Sequence, residues 1–450
     1  MMAPREPNAR LREAIASVGC TYEALATDVR RIAAENGEML QTNKSAVAHW
    51  VNGARPTGQA GNYLAEALSR RAARPVTLPE IGLRDGTEPM PFDADPVAAA
   101  TVLGRADVKR RRFLAVAAFT SAGVAMPLGY GHEAAARMLR ARTGRTVVGA
   151  EDVDVVRQIT AAFSAADERL GGGHGLTTVT AYLADTAAPM LRARFPNDAV
   201  RRDAFGAVAE LAYLAGWKHH DLGDQGAAQR YYLAGYQLAC EADPHGHAAW
   251  MMRALAHQAL KLKQPRHCVD LVEGALSRGL GHVDGRTEAL LRITHGRAHA
   301  ASGDHSAAAR ALLAAEDALL RDDGPQSSYS LATGPAAGTV ASHTAKTLTE
   351  MQDHFGTEQQ HRDALTRWDP VKYKRVHVLT YADLGDSLAA QARADEAVAA
   401  WAQAVTLMDG MVSDRARKAI ASLRSPLAVY QRRKVPGATD LARRVREALA

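Results

Sequence analysis

Few side chains in this 450-residue chain are arranged for covalent chemistry. His267-Cys268 sets a base beside a thiol, the pairing of a cysteine nucleophile. Neighbours on a helix diverge by about a hundred degrees, however, so the two do not share a proton there. His219-His220 and the pair His245/His247 offer imidazoles without the further donors of a zinc site. Gly171-Gly172-Gly173-His174-Gly175 is rich in glycine, but a dinucleotide turn needs a strand to aim its phosphate site and none leads into it. A loop between helices is the expectation. No His-Glu-x-x-His, paired Cys-x-x-Cys, Walker-type loop or Gly-x-Ser-x-Gly is present. Cys20, Cys240 and Cys268 form neither a metal spacing nor an even set, which reads as reduced thiols in a cytoplasmic protein. The chain is expected to be no enzyme, with no metal and no cofactor.

Non-covalent recognition is better represented. In the segment 43–56, Val47, Trp50 and Val51 fall on one helical face and turn inward. Lys44, Ser45, Ala48 and His49 then face outward from the first turns, small and hydrogen-bonding groups of the kind a DNA major groove admits. Gly53 permits a sharp exit, and Asn52, Arg55 and Thr57 stand where phosphates would be met. Thr42 or Asn43 caps this helix.

The elements that must position this segment are short. The sequence predicts a helix over 8–17 ended by Gly19, and a second from Tyr22 with Thr21 as N-cap that runs to near Gly37. The third ends at Gly53 and Pro56, and a fourth spans 61–71. Residues 1–75 are therefore read as one domain. Residues 76–150 are read as a linker: its first part holds four prolines and a net charge of −4 (one Lys/Arg against five Asp/Glu over 76–104). Arg111-Arg112-Phe113-Leu114 and the apolar run 115–128 imitate a twin-arginine export signal, but far inside the chain. The run is also shorter than the roughly twenty residues that cross a bilayer. A linking helix with a basic start is expected, and no membrane partner.

Residues 151–450 carry a periodic beat. Gly216, Ala256 and Gly296 lie forty apart, as do Ala228, Cys268 and Ala308, and Gly385 with Ala397 repeats their internal gap of twelve. Four residues after each second anchor comes a larger side chain (Tyr232, Val272, Leu312, Trp401), and three later a small one (Gly235, Ala275, Ala315, Ala404). Such self-similarity marks stacked helical hairpins, each burying its face against its neighbours. A degenerate copy must fill 337–370. With 47% hydrophobic but only 5% aromatic residues and abundant alanine, the fold class is all-α.

Two resemblances follow from these residues. Val47, Trp50, Gly53 and Pro56 resemble the recognition helix of lambda-repressor-like helix-turn-helix domains, although residues 33–41 lengthen the turn. That likeness implies that Lys44, Ser45 and His49 touch base edges while Asn52 and Arg55 hold the DNA backbone. The ordered anchors, with Gly223-Asp224 and Gly303-Asp304 as tight turns, resemble tetratricopeptide repeats. By that likeness the hairpins form a right-handed superhelix whose first helices line a groove bearing Tyr213, Trp217, His220, Trp250, Arg253, His257 and Arg297. Aromatics beside cations suit a peptide or a small-molecule effector. Together with Asp167–Gly173 and the segment Val412–Arg417, the whole resembles actinobacterial regulators that join a helix-turn-helix to a tetratricopeptide-like domain. This implies a homodimer on double-stranded DNA. The alternative is a repeat scaffold whose front module only docks.

Overall fold

The computed structural model describes residues 6–35, 39–72, 76, 78, 80–83, 95–108, 147–321 and 324–450. Among them the regular elements are helical, and the β-type pairing is an isolated parallel bridge between Val147 and Arg194. The protein is all-α.

The first unit packs α1 (Ala9–Ser17), α2 (Tyr22–Glu35), α3 (Lys44–Val51) and α4 (Ala60–Ala72) around Leu11, Leu25, Val29, Val47 and Leu64. Local chemistry sets the boundaries. Gly19 takes φ 60° just after α1, and the Thr21 hydroxyl accepts from the Ala24 amide at the start of α2. Of the two candidate caps for α3 the structure uses Asn43, whose side chain accepts from the Ala46 amide at 2.9 Å. The Arg30 guanidinium donates to the Thr42 carbonyl, tying α2 to the approach of α3. Residues Asn36–Glu38, inside the lengthened turn, lie outside the described residues.

The expected linker contains a helix that is part of the second core. In α5 (Pro96–Val108), Val97, Ala100 and Leu103 pack into the cluster that holds Val179, Leu183 and Val208. His219 donates from Nε2 to Asp107 at 3.0 Å, and its Nδ1 lies 3.5 Å from Asp224. Burial opposes the charge on His219, but these two carboxylates outweigh it and raise its pKa to about 9. The basic run and apolar stretch 109–128 lie outside the described residues.

Next come α6 (Ala150–Leu170) and α7 (Leu176–Tyr182), the latter continuing through a π-helical turn, Leu183–Ala187, into Ala188–Met190. Five hairpins follow: α8 (Asp198–Leu222) with α9 (Gln225–Ala242), α10 (Gly246–Lys261) with α11 (Pro265–Gly279), and α12 (Gly285–Ala301) with α13 (His305–Leu319). The fourth, α14 (Ala336–Glu350) with α15 (His354–Arg367), is the degenerate copy, and α16 (Lys374–Ala390) with α17 (Ala394–Thr406) is the fifth. Three short helices close the chain: α18 (Asp414–Ser422), α19 (Arg424–Arg432) and α20 (Ala438–Leu449).

The repeated small and large residues have a packing reason. In the first, third and fifth hairpins the larger side chain of the second helix sits over the glycine anchor of the first. A Cβ placed on Gly216 would meet the Tyr232 ring at 2.7 Å, and one on Gly385 would fall inside the Trp401 indole, whereas one on Gly296 would find Leu312 at an ordinary 3.4 Å. The turn between the two helices always contains one left-handed residue, at Gly223, Lys263, Gly303, Gln352 and Ala392.

Gly385→Ala overpacks its hairpin and destabilises by about 1–3 kcal/mol, whereas Gly296→Ala is neutral or stabilising by up to about 1 kcal/mol through helix propensity; urea unfolding midpoints measure both. The His219 contact is full below its unfolded pKa of 6.5 and is lost as pH rises through about 9. The thermal midpoint therefore falls over that window, and the fall is shallower in Asp107→Asn.

Candidate functional site

Two features collect the residues read from the sequence as functional. On the first unit, Val47, Trp50 and Val51 are buried and hold α3 against its neighbours. The opposite face is open. Asn43, Lys44, Ser45, His49, Asn52, Arg55 and Thr57 are all exposed, with two full positive charges and no carboxylate among them. Asn43 serves as the N-cap, so its carboxamide oxygen is already engaged by the helix.

The second feature is a cavity of about 910 Å³ in the hairpin array. It exists because the array closes on itself. At the end of α6, Asp167 and Glu168 receive Arg375 of α16, Nη1 to Asp167 and Nη2 to Glu168, both at 2.7 Å. Asp221 of α8 lies 3.6 Å from the same guanidinium, and Lys218 completes the group at 3.1 Å from Asp167. Asp167, Lys218, Asp221 and Arg375 are each at most 1% exposed. The backbone finishes the seam: the Val412 amide donates to the Leu170 carbonyl, and the Gly173 amide donates to the Val412 carbonyl. Asp221 also accepts from the Gly172 amide and the Ser413 hydroxyl. The glycines are needed here because a Cβ on Gly172 or Gly173 would strike Asp221 or Val412. The run 171–175 is thus a loop between helices, as its sequence implied.

First helices of the hairpins line the cavity. Of the seven groove residues expected from the repeat alignment, Tyr213, Trp217, His220, Arg253, His257 and Arg297 are in its wall. Trp250 is not: it is 1% exposed, packed against Tyr213 and Tyr329, with the Arg253 guanidinium stacked 4.6 Å from its ring. Its indole is core, and its contribution to the wall is to support Arg253. The reading from sequence missed His343, Lys346, His361, Arg375 and Arg415, which come from the degenerate hairpin and from beyond it. Arg415 lies in the segment Val412–Arg417, which the sequence singled out as part of a resemblance without placing it in the groove.

The wall is electropositive. Seven Lys and Arg face four Asp and Glu, and two of those acids are engaged, Glu168 by Arg375 and Asp383 by Lys346 at 3.4 Å. Burial pushes the Arg253 guanidinium down to about 10 and His220 down to about 3, the latter helped by Arg415 and Lys261. Arg297 and Arg415 are lowered first by burial and then by neighbouring cations acting against nearby acids. Arg375 goes the other way: burial opposes its charge, but Asp167, Glu168 and Asp221 overcome it. Trp217 lies between guanidiniums, with Arg415 at 5.2 Å and Arg375 at 5.5 Å from its ring, and stacks on His220.

One further cluster has the geometry of metal ligands. Glu273 of α11 with His295 and His299 of α12 bring one donor atom each within 4.8 Å of one another. Glu273 is exposed, and the two imidazoles hydrogen-bond to each other at 2.8 Å. The i, i+4 spacing of the histidines was legible in the sequence; the glutamate from the adjacent helix was not.

Fold and site together define an all-helical protein with a small exposed-helix unit ahead of a closed hairpin array that encloses a basic, aromatic cavity. The family model of the SP15 N-terminal domain matches residues 11–84, the unit that carries α3, and leaves the array uncovered. A comparison with curated proteins finds no match. Among the described residues no helix is long and apolar enough to cross a membrane.

Arg375→Met removes the guanidinium shared by Asp167, Glu168 and Asp221, leaving Lys218 as the one remaining ion-pair partner of the set among the described residues. It is expected to destabilise by about 3–5 kcal/mol, read from chemical denaturation monitored by circular dichroism.

Proposed function

We propose that the protein is a DNA-binding transcriptional regulator in which α2 and α3 act as a helix-turn-helix and the hairpins, as a tetratricopeptide-like right-handed superhelix, hold an effector. The observation that supports DNA contact most directly is the outer face of α3. Lys44, Ser45 and His49 on the helix and Asn43, Asn52, Arg55 and Thr57 at its two ends are exposed together, while Val47, Trp50 and Val51 of the same helix are buried. Lys44, Ser45 and His49 present hydrogen-bonding groups at the first turns, where base edges are read, and Asn52, Arg55 and Thr57 follow at the exit, where phosphates are met. A single short helix reads only a few base pairs, so two copies on adjacent half-sites supply useful specificity, and a homodimer in the cytoplasm is the working assembly.

The effector reading is supported by the cavity. It falls in the size range of ligand pockets and combines aromatic walls with a few charged groups. α5 joins the two parts of the function, because it leads from the first unit and is fixed to α8 by Asp107 and His219. A ligand that favours one arrangement of the array then biases the placement of the DNA-reading heads. The rival reading is a protein-interaction scaffold with a docking front module, which the modest net charge of residues 1–75 favours (ten Lys/Arg against seven Asp/Glu, +3).

Mobility shifts against fragments of the source genome, run across a salt series, test the reading. Sequence-selective retention with a steep salt dependence supports the regulator, and no retention at low salt leaves the scaffold. Lys44→Ala and His49→Ala relax sequence choice. Arg55→Ala weakens all sequences alike and reduces the salt slope by about one. If all three leave affinity for every fragment unchanged, α3 is not the reading helix.

A further inference from the structure

The cavity holds cations that make no ion pair among the described residues, the acids that act on them (Asp383 and Glu350 on Arg297, Asp221 and Glu168 on Arg415) doing so only at longer range. Arg297 lies in the wall with a single long contact, Nη1 to the His257 Nδ1 at 3.5 Å, and makes no ion pair among the described residues. Arg415 stacks on Trp217 and likewise makes no ion pair there. The Nε of Arg253 donates to the Leu290 carbonyl, leaving the rest of its guanidinium beside the indole of Trp250. Proteins bury unpaired charge at a steep cost, which they bear where a ligand supplies the counter-charge. Polar atoms in the same wall are also unsatisfied: both ring nitrogens of His361, which is 1% exposed, and the indole nitrogen of Trp368, which is 6% exposed, have no hydrogen-bond partner among the described residues.

We propose that the central cavity binds an organic anion, its carboxylate or phosphate oxygens held by Arg253, Arg297 and Arg415 and its apolar body lying on Tyr213 and Trp217. This rests on the effector reading of the array and gives that effector a chemical class. Three guanidiniums suit an oxyanion because each offers a planar fork of donors to two oxygens. The cavity volume is far larger than an inorganic ion needs, and the aromatic wall gives the remainder of such a ligand a surface to cover. The downward push on His220, His257, His343 and Arg297 by burial and then by the surrounding cations, Arg415 and Arg253 among them, is what a bound anion relieves.

The test uses the full chain without DNA, so its result is independent of α3. Phenyl phosphate and phenylacetate are titrated calorimetrically at matched ionic strength, with phenethylamine as the cationic counterpart. At least one anion binds saturably with quenching of tryptophan fluorescence, the amine does not, and the anion that binds tells phosphate from carboxylate. Arg297→Gln and Arg415→Gln each weaken binding by about tenfold or more, whereas Arg297→Lys retains part of it. Folding of each variant is followed by circular dichroism. Removing a half-buried cation that has no ion pair among the described residues relieves repulsion, so Arg297→Gln raises the thermal midpoint of the ligand-free protein; a purely structural arginine would lower it. Absence of saturable binding by either anion, equal binding of the amine, or indifference to both substitutions overturns the assignment. DNA retention without anion binding would remove this inference alone, and anion binding without DNA retention would remove the regulator alone.

Discussion

The array depends on one buried guanidinium. Arg375 joins Asp167 and Glu168, more than two hundred residues earlier in the chain, and reaches Asp221 on the first hairpin. In water such contacts contribute little, because both ions lose hydration about as favourable as the pair. Buried to this depth the balance changes: any one partner left alone would be an uncompensated charge in a medium of low dielectric, so the set forms together or not at all. The geometry around it is consequently tight, with glycine at the two points where the Val412 strand of backbone and the Asp221 side chain press against the loop.

Charge is distributed unequally across the closed array. At the clasp, three carboxylates face Arg375 and Lys218, and each makes at least one charged contact. In the wall above, Arg253, Arg297 and Arg415 make no ion pair among the described residues, and Arg253 and Arg415 lie over indole rings. The first arrangement serves folding, since local interactions agree with the global fold. The second conflicts with folding, since burial and like charge both oppose ionisation. Conflict of this kind is expected where a site serves something besides stability.

The sequence disclosed the hairpins but not their closure. The beat of small and large residues was legible because it is a contact within one hairpin: Gly216 under Tyr232 and Gly385 under Trp401 are sixteen residues apart. Six wall residues were legible for a related reason, since they lie on first helices whose register the anchors set. Trp250 was misplaced because a period of forty fixes which helix it occupies but not which way around that helix it points; it faces Tyr213 and Tyr329 instead of the cavity. The degenerate hairpin was placed by length alone. Its turn uses Gln352 at φ 64° in place of glycine, and the second hairpin does the same with Lys263, so the Gly-Asp signal was absent in both. Helix α5 was hidden by its composition: acidic and proline-rich surroundings read as linker, while its alanines and valines pack into a core that only the three-dimensional fold supplies. On the first unit the pattern of α3 was enough to separate buried from exposed positions, because inward and outward faces alternate with the helical period.

Closing the ring of hairpins has a mechanical consequence. An open stack of hairpins behaves as a spring, taking up a guest by changing its pitch and passing the strain along its length. Here the two ends are clasped, so extension is blocked and a guest can be accommodated only by rotating side chains or by sliding one hairpin against the next within a fixed perimeter. Helix α5 is pinned beside that clasp, since the His219 that holds Asp107 directly follows Lys218.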